Sequence, residues 1–366
     1  MRSFKYGLGL VAALGLMAGT AQAQIKISLN GPLTGQLASF GEQMKRGAEM
    51  AVADLNAAGG VNGQKIQLVL GDDQCDPKQA VAVANKSVQE KVAVVIGHFC
   101  SGSSIPASDV YKEENILQIS PASTNPTFTD RGYKNTFRVC GRDDQQGMVA
   151  GDYIADKFKG KKVAILHDKT AYGKGLADET KKRLNSKGVT EAMYEAISAG
   201  EKDYSALISK MKQAGIELIY LGGYHPEAGL IVRQAKEQGL TAPLMGGDAL
   251  VDKQLWAISG TAGQGTLMTF DADPRKNPVA KPIVDKFKAG GYDPEGYTLY
   301  TYAAVQVWAQ AATTAKSVKT ADVEKAMRAG SFKTVLNDIK FDAKGDTTSP
   351  AYKVYVWKDG TYDYVN

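Results

Sequence analysis

Read for hydrophobic and polar order alone, the chain alternates strand-length apolar runs with longer amphipathic stretches. IKISLNG is followed by GEQMKRGAEMAVADLNAAGG, KIQLVLGDD by DPKQAVAVANKSVQE, VAVVIG by SIPASDVYKEEN, and then comes ILQIS. Short runs fit strands and the longer stretches carry helical periodicity, so the pattern predicts βαβ units around a parallel sheet. Local signals agree. Gly59 and Gly60 suit the end of one helix, and Asp76 before Pro77 suits the N-cap and first turn of the next.

The rhythm restarts at KKVAILHD (161–168). It continues through a helix near 174–187, DYSALISKMKQAG, the strand ELIYLGG, the helix PEAGLIVRQAKEQG and the strand GTLMTF at 265–270. Two α/β halves are expected, alike in element order without an exact sequence repeat. From about 275 the order changes to helices near 279–290, 297–316 and 320–329, then two strand candidates, NDIKFDA and AYKVYVW. A chain that adds such elements after two complete halves is expected to return to the first. The expected domains are therefore discontinuous, 24–142 with 275–350 and 143–274 with 351–366, with hinge crossings near 142–146, 270–275 and 348–352.

The first residues add an export signal. Arg2 and Lys5 precede a short apolar stretch that ends in Ala21-Gln22-Ala23, the small-x-small pattern of a signal peptidase site, so residues 1–23 are expected to be removed and the mature chain to begin at Gln24. No cysteine stands at that junction to carry a lipid. Formal charge is +5, and losing Arg2 and Lys5 leaves 5 − 2 = +3, spread as mixed pairs such as KKR at 181–183 and EKD at 201–203. That is a solvated surface and not a nucleic-acid footprint.

Only Cys75, Cys100 and Cys140 are present. In an oxidising compartment two should pair, and Cys75 and Cys100 each follow a strand at one sheet edge, which makes them the preferred pair. Cys140 is then expected to be a buried, unreactive thiol.

Candidate chemistry centres on GHFCSGSS, residues 97–104. Cys100 with His98 raises the possibility of a nucleophile, but two residues apart on a strand end is not hydrogen-bond reach, and the expected disulfide would block the sulfur. The three histidines, His98, His167 and His225, occur singly, and no HExxH, CxxC, DxDxDG, GxSxG or GxxxxGK[ST] spacing appears. Metal and cofactor chemistry is not expected. Ser101, Gly102, Ser103 and Ser104, before a helix expected to begin around Ile105, fit a cradle for a small carboxylate, although taken alone the run reads more readily as an ordinary capping turn. The next strand end, ISPASTNP, offers the Ala122 carbonyl and the Thr124 hydroxyl and N–H at an adjacent point of the same edge. Phe40, Tyr172, Tyr224, Tyr297 and Asp248 recur at other strand ends in both halves, as a cleft between two lobes requires.

These residues carry a resemblance. GPLTGQLASFGEQ, GDDQCDPKQAVAVANK, GHFCSGSSIPASDVY, ISPASTNPTFTDRGY, HDKTAYGKGLA and SAGEKDYSALI are similar to the periplasmic leucine/isoleucine/valine-binding protein family of ATP-driven amino-acid uptake systems, over nearly the whole mature chain. The resemblance implies a type I periplasmic binding protein: two α/β lobes, three hinge crossings, one ligand between the lobes, an ABC permease as partner, and a monomer without enzymatic activity. It places Ser101 and Thr124 on the ligand carboxylate, Ala122 and Thr124 on the α-ammonium, and Asp248 opposite them from the second lobe. Phe40, Phe99, Tyr172, Tyr224 and Tyr297 would line the side-chain pocket, and the family's disulfide falls on Cys75 and Cys100. Branched-chain binders of this family carry glutamate where Asp248 stands and tyrosine where Phe40 stands. The same receptor class with another ligand, such as a different amino acid, a small amide or an aromatic carboxylate, is the alternative; an enzyme acting on a small amino or acyl compound ranks behind both.

Overall fold

In the computed structural model, residues 24–348 and 350–365 are described; the expected signal peptide lies outside them. The first α/β unit runs β1 (Ile25–Gly31), α1 (Ala38–Ala57), β2 (Ile66–Asp72), α2 (Pro77–Gln89), β3 (Val94–Gly97), α3 (Ser101–Glu113), β4 (Leu117–Ser120), α4 (Thr127–Asp130) and β5 (Thr136–Arg138). The second runs α5 (Asp143–Lys157), β6 (Val163–His167), α6 (Ala171–Ser186), β7 (Met193–Ala196), α7 (Ser205–Ala214), β8 (Leu218–Gly222), α8 (His225–Glu237), β9 (Leu244–Gly246), α9 (Gln254–Ser259) and β10 (Leu267–Asp271). There follow α10 (Lys281–Ala289), α11 (Thr298–Ala315), α12 (Thr320–Ala329), β11 (Phe332–Thr334), β12 (Asn337–Ile339), β13 (Tyr352–Lys358) and β14 (Thr361–Tyr364).

The expected pair of α/β lobes is observed. One sheet has the order β2-β1-β3-β4-β5, all parallel. The other has the order β14-β13-β10-β9-β8-β6-β7, parallel through β10 and closed by the antiparallel strands β13 and β14. Strand order reverses between β1 and β3 in the first sheet and between β6 and β8 in the second. Loops leaving the carboxyl ends on either side of such a switch diverge and leave a crevice.

The late helices pack on the first lobe. In α11 the buried set includes Leu299, Val305, Trp308 and Ala312, distributed around the helix, and α1 lies against it. Gly47 makes that approach possible: a Cβ there would stand 2.2 Å from the Thr298 carbonyl oxygen. β11 and β12 form a hairpin beside α11, whereas β13 leaves them and pairs with β10. Asp346, between the two, accepts from the Thr129 hydroxyl at 2.8 Å and pairs with Arg142 at 2.7 Å, which fastens this return segment to the first lobe.

Several local readings hold. The Asp76 side chain accepts from the N–H groups of Lys78 and Gln79 at the start of α2, with Pro77 in the first turn. Cys75 and Cys100 are bonded, with Cα atoms 5.5 Å apart. Cys140 is buried, and burial pushes its thiol well above its ordinary pKa. One boundary differs: the helix expected from Ile105 begins at Ser101, so the serine run is the first helical turn and not a loop before it.

Between the lobes, Asp271 at the end of β10 accepts from the Ala351 N–H at 2.6 Å, and the Gly141 N–H and the Tyr300 hydroxyl face the same carboxylate. Burial pushes this carboxyl up to about 6 against those donors. A carboxyl raised in the folded state costs nothing below its unfolded value near 3.9 and destabilises progressively as the pH climbs through the interval up to 6. Between pH 4 and 7, Asp271→Asn is therefore expected to gain roughly 2–3 kcal/mol of stability relative to the parent protein. Denaturant unfolding at the two pH values checks this; a difference independent of pH would refute it.

Candidate functional site

The carboxyl ends of both sheets face one another across a small enclosed cavity. Its walls are Phe99 and Ser101 after β3, Ala122 after β4, Tyr172 in the first turn of α6, Tyr224 after β8, Asp248 and Ala249 after β9, and Tyr297 just before α11. They leave a cavity of only about 10 Å³ between them, close to the room of one water position.

Ser101 is the first residue of α3, a helix of 13 residues, with Cys100 in extended conformation at its N-cap. The first N–H groups of a helix have no intrahelical carbonyl to bond, and the helix dipole concentrates positive potential there; in α3 this applies to Ser101 and Gly102, since the Ser103 and Ser104 N–H groups bond the Cys100 carbonyl, each at 2.9 Å. The Cys100 side chain makes no capping hydrogen bond. The Ser101 hydroxyl accepts from the Asn125 N–H at 3.2 Å, which fixes its orientation beside the turn after β4.

Opposite stands Asp248, only 3% exposed. Its carboxylate accepts from the Tyr172 hydroxyl at 2.8 Å, from the Gln146 carboxamide at 2.9 Å and from the Tyr297 hydroxyl, all of them neutral donors. Burial raises its pKa, and these hydrogen bonds oppose the rise. Among the described residues it makes no ion pair. Close by, Asp143 is fully buried, with one carboxyl oxygen lacking any hydrogen bond. Burial, and then the charge on Asp248, push Asp143 well above the usual carboxylate range. Two such acids cannot both ionise cheaply. Hydrogen bonding favours the charged form of Asp248, while burial favours the neutral form of Asp143. Gln146 links them: its carboxamide oxygen accepts from the Asp248 N–H and the Thr269 hydroxyl, each at 2.8 Å.

Seven of the nine residues expected in the site line this cavity: Phe99, Ser101, Ala122, Tyr172, Tyr224, Asp248 and Tyr297. Phe40 does not reach the wall. It is fully buried behind Phe99, stacked on that ring with centroids 4.4 Å apart. Thr124 is also outside the wall; its carbonyl accepts the Asp143 N–H at 2.9 Å, and its buried hydroxyl has no hydrogen-bond partner. Ala249, Asp143 and Gln146 were not anticipated. A carboxamide in DDQQG at a helix start reads as a solvated face, and no sequence signal distinguishes it.

The nucleophile reading fails on geometry. The Cys100 sulfur is in the disulfide, and His98 is fully buried between Asp73, 2.5 Å from Nδ1, and the Tyr111 hydroxyl, 2.8 Å from Nε2. No group of metal-ligating side chains assembles among the described residues.

With two α/β lobes and a cavity between their sheet ends, the sequence as a whole matches a known family. The model of the periplasmic binding protein family matches residues 24–361. The chain belongs to that family. It is 55% identical over 358 residues to the Leu/Ile/Val-binding protein homolog 2 of Brucella abortus, covering 97% of this chain and 96% of the relative. With the leucine-, isoleucine-, valine-, threonine-, and alanine-binding protein of Pseudomonas aeruginosa it shares 46% identity over 339 residues, 92% of this chain and 91% of that one. Among solved structures it resembles the branched-chain amino acid transporter substrate binding protein LivJ of Streptococcus pneumoniae in complex with isoleucine. There the TM-score is 0.86 with 27% identity, covering 94% of this chain and 99% of the other. A periplasmic binding protein is a receptor for a solute and not an enzyme. Among the described residues no helix is long and apolar enough to cross a membrane.

Proposed function

We propose that this periplasmic binding protein captures a branched-chain or similarly apolar α-amino acid by lobe closure and delivers it to the permease of an ABC transporter. The observation that carries the reading is Asp248: a buried carboxylate held only by neutral donors, across the cavity from the N-terminus of α3. An α-amino acid is the complementary zwitterion. Its carboxylate would take free first-turn N–H groups of α3 and the Ser101 hydroxyl; its ammonium would meet Asp248 and the Ala122 carbonyl. Phe99, Tyr172, Tyr224 and Tyr297 would enclose an apolar side chain. Excluding water strengthens both charge contacts, and a ligand that contacts both lobes shifts the equilibrium toward the closed form.

The cavity of about 10 Å³ is far below the usual range for small-molecule sites, so the walls have to part to admit any amino acid. The relatives named for leucine, isoleucine and valine, one of them also for threonine and alanine, support an amino acid of this kind as the ligand.

The lobe boundaries of this reading are residues 24–142 with 275–350 and 143–274 with 351–366, and the sheet memberships of β5, β10 and β13 support them. The protein would act as a periplasmic monomer, exported by the cleavable segment 1–23.

The test is a thermal-unfolding panel on mature protein unfolded and refolded to strip bound ligand, titrated with the proteinogenic amino acids and with carboxylates lacking the amine. A ligand at about a hundred times its dissociation constant adds roughly 2.7 kcal/mol, a shift of several degrees. Valine, isoleucine, leucine or alanine is expected to dominate. A response to deaminated or aromatic carboxylates alone would overturn the amino-acid assignment.

A further inference from the structure

Contacts between the lobes are not all alike. At the rim, Lys253 reaches Asp293 at 3.7 Å and Glu295 at 3.5 Å, but its side chain is 55% exposed, and screened pairs of this kind contribute little. Deeper, Gln43 of α1 is buried. Its carboxamide nitrogen donates across the cleft to Asp252 Oδ2 at 3.0 Å, while its carboxamide oxygen accepts from the Tyr297 N–H at 2.9 Å. The Tyr297 hydroxyl in turn donates to Asp248.

The surroundings are fitted to this one side chain. Gly296 has φ +55°, and a Cβ there would stand 2.2 Å from the Gln43 carboxamide oxygen, so the turn before Tyr297 closes onto Gln43 only as glycine. Asp252 is equally buried, with its other oxygen taken by the Gln254 N–H at 2.8 Å. The buried His225 nearby supplies no counter-charge, because burial pushes its pKa down to about 4.

We propose that Gln43 is a positioning residue for ligand capture: it latches the closed lobes together through Asp252 and at the same time sets the cavity wall through Tyr297. The proposal rests on the reading of this protein as a receptor that closes on its ligand. The Gln43–Asp252 bond joins residues of opposite lobes and is made only when they are together. Opening returns both groups to water, so the bond biases the equilibrium without touching the ligand. A hydrogen bond to a buried carboxylate is among the stronger kind, so its removal is expected to weaken capture on the order of tenfold or more.

The experiment compares Gln43→Ala, Gln43→Glu, Asp252→Asn and the double variant Gln43→Glu/Asp252→Asn. Two quantities are read: the radius of gyration of the ligand-free protein by small-angle scattering, and the calorimetric affinity for L-valine. Gln43→Glu sets two carboxylates against each other in the closed form only. It is expected to enlarge the ligand-free protein, to bind valine at least tenfold more weakly than wild type, and to recover partly on acidification from pH 7 to 5. The double variant exchanges donor and acceptor and is expected to return to within about threefold of wild type. A merely structural role for Gln43 predicts no such rescue. The proposal is overturned if the double variant is no better than Gln43→Glu, or if Gln43→Ala and Gln43→Glu leave both quantities unchanged. Should none of L-valine, L-isoleucine, L-leucine and L-alanine give heat with the wild-type protein, the amino-acid assignment fails separately, and the scattering series still decides whether the latch exists.

Discussion

Asp248→Asn is expected to lower ligand affinity about a hundredfold or more and, in the ligand-free protein at pH 7, to raise the unfolding temperature. Both effects follow from a single buried charge. The carboxylate accepts hydrogen bonds from Tyr172, Gln146 and Tyr297, but none of these groups neutralises it, and burial raises its pKa. Truncating one partner of a desolvated charge pair costs on the order of 2–5 kcal/mol, which brackets the hundredfold loss. The sign for stability is the opposite. A carboxyl whose folded-state pKa lies above its unfolded value destabilises the fold increasingly as pH rises, so the neutral amide should unfold later at neutral pH and converge on the parent toward pH 4. Asparagine is nearly isosteric, and the two tyrosine hydroxyls can rotate to accept from it, so the fold should survive the change. Calorimetric titration of the stripped protein with the ligand found by the panel, together with thermal unfolding at two pH values, reads both effects. Unchanged affinity would remove Asp248 from the site; a lower unfolding temperature at pH 7 would mean that the residue stabilises the fold and is not strained by its charge.

What could be read from the sequence is what periodicity controls. The alternation of IKISLNG, KIQLVLGDD, VAVVIG and ILQIS with amphipathic stretches specifies a parallel sheet, and the restart at KKVAILHD specifies a second one. The strands that escaped notice are short and carry little alternation: Thr136–Arg138, Met193–Ala196, Phe332–Thr334 and Thr361–Tyr364 take their places from the neighbours they pair with. The start of α3 was misplaced because serines compete with their own backbone and read as a cap, whereas here Cys100, tied to Cys75, occupies the cap and the serines follow inside. Within the site, the residue types at strand ends were legible, but which member of a stacked aromatic pair faces the cavity was not. Phe40 and Phe99 are equivalent as sequence signals; only packing puts Phe40 behind. Gln146 and Asp143 were invisible for the same reason, since their roles arise from how α5 packs beside the ends of β9 and β10 and not from any spacing along the chain.

The disulfide joins the two levels, and its removal is the second large effect expected. Cys75 and Cys100 are 25 residues apart, and opening a loop of that length restores unfolded-state entropy equivalent to about 3.5 kcal/mol in the chain-entropy model. The Cys75→Ala/Cys100→Ala variant should therefore unfold roughly 5–10 °C below the parent. Stability is not the only readout. Cys100 is the N-cap of α3, immediately before Ser101, and the bridge anchors that cap to the segment leaving β2, where the Asp73 side chain accepts from the Cys75 N–H at 2.9 Å. If the bridge serves only the fold, the variant measured well below its melting temperature should bind ligand as the parent does. If it also holds the helix terminus in place, affinity should fall several-fold while the stripped protein remains folded, because the first-turn N–H groups then have to be ordered by the ligand itself. The second outcome is expected: serine hydroxyls hold the His98 and Phe99 carbonyls just before the cap, but the Cys100 side chain makes no capping hydrogen bond and is held at that position by the covalent link. Comparing dissociation constants at 15 °C, far from either unfolding transition, separates the two contributions.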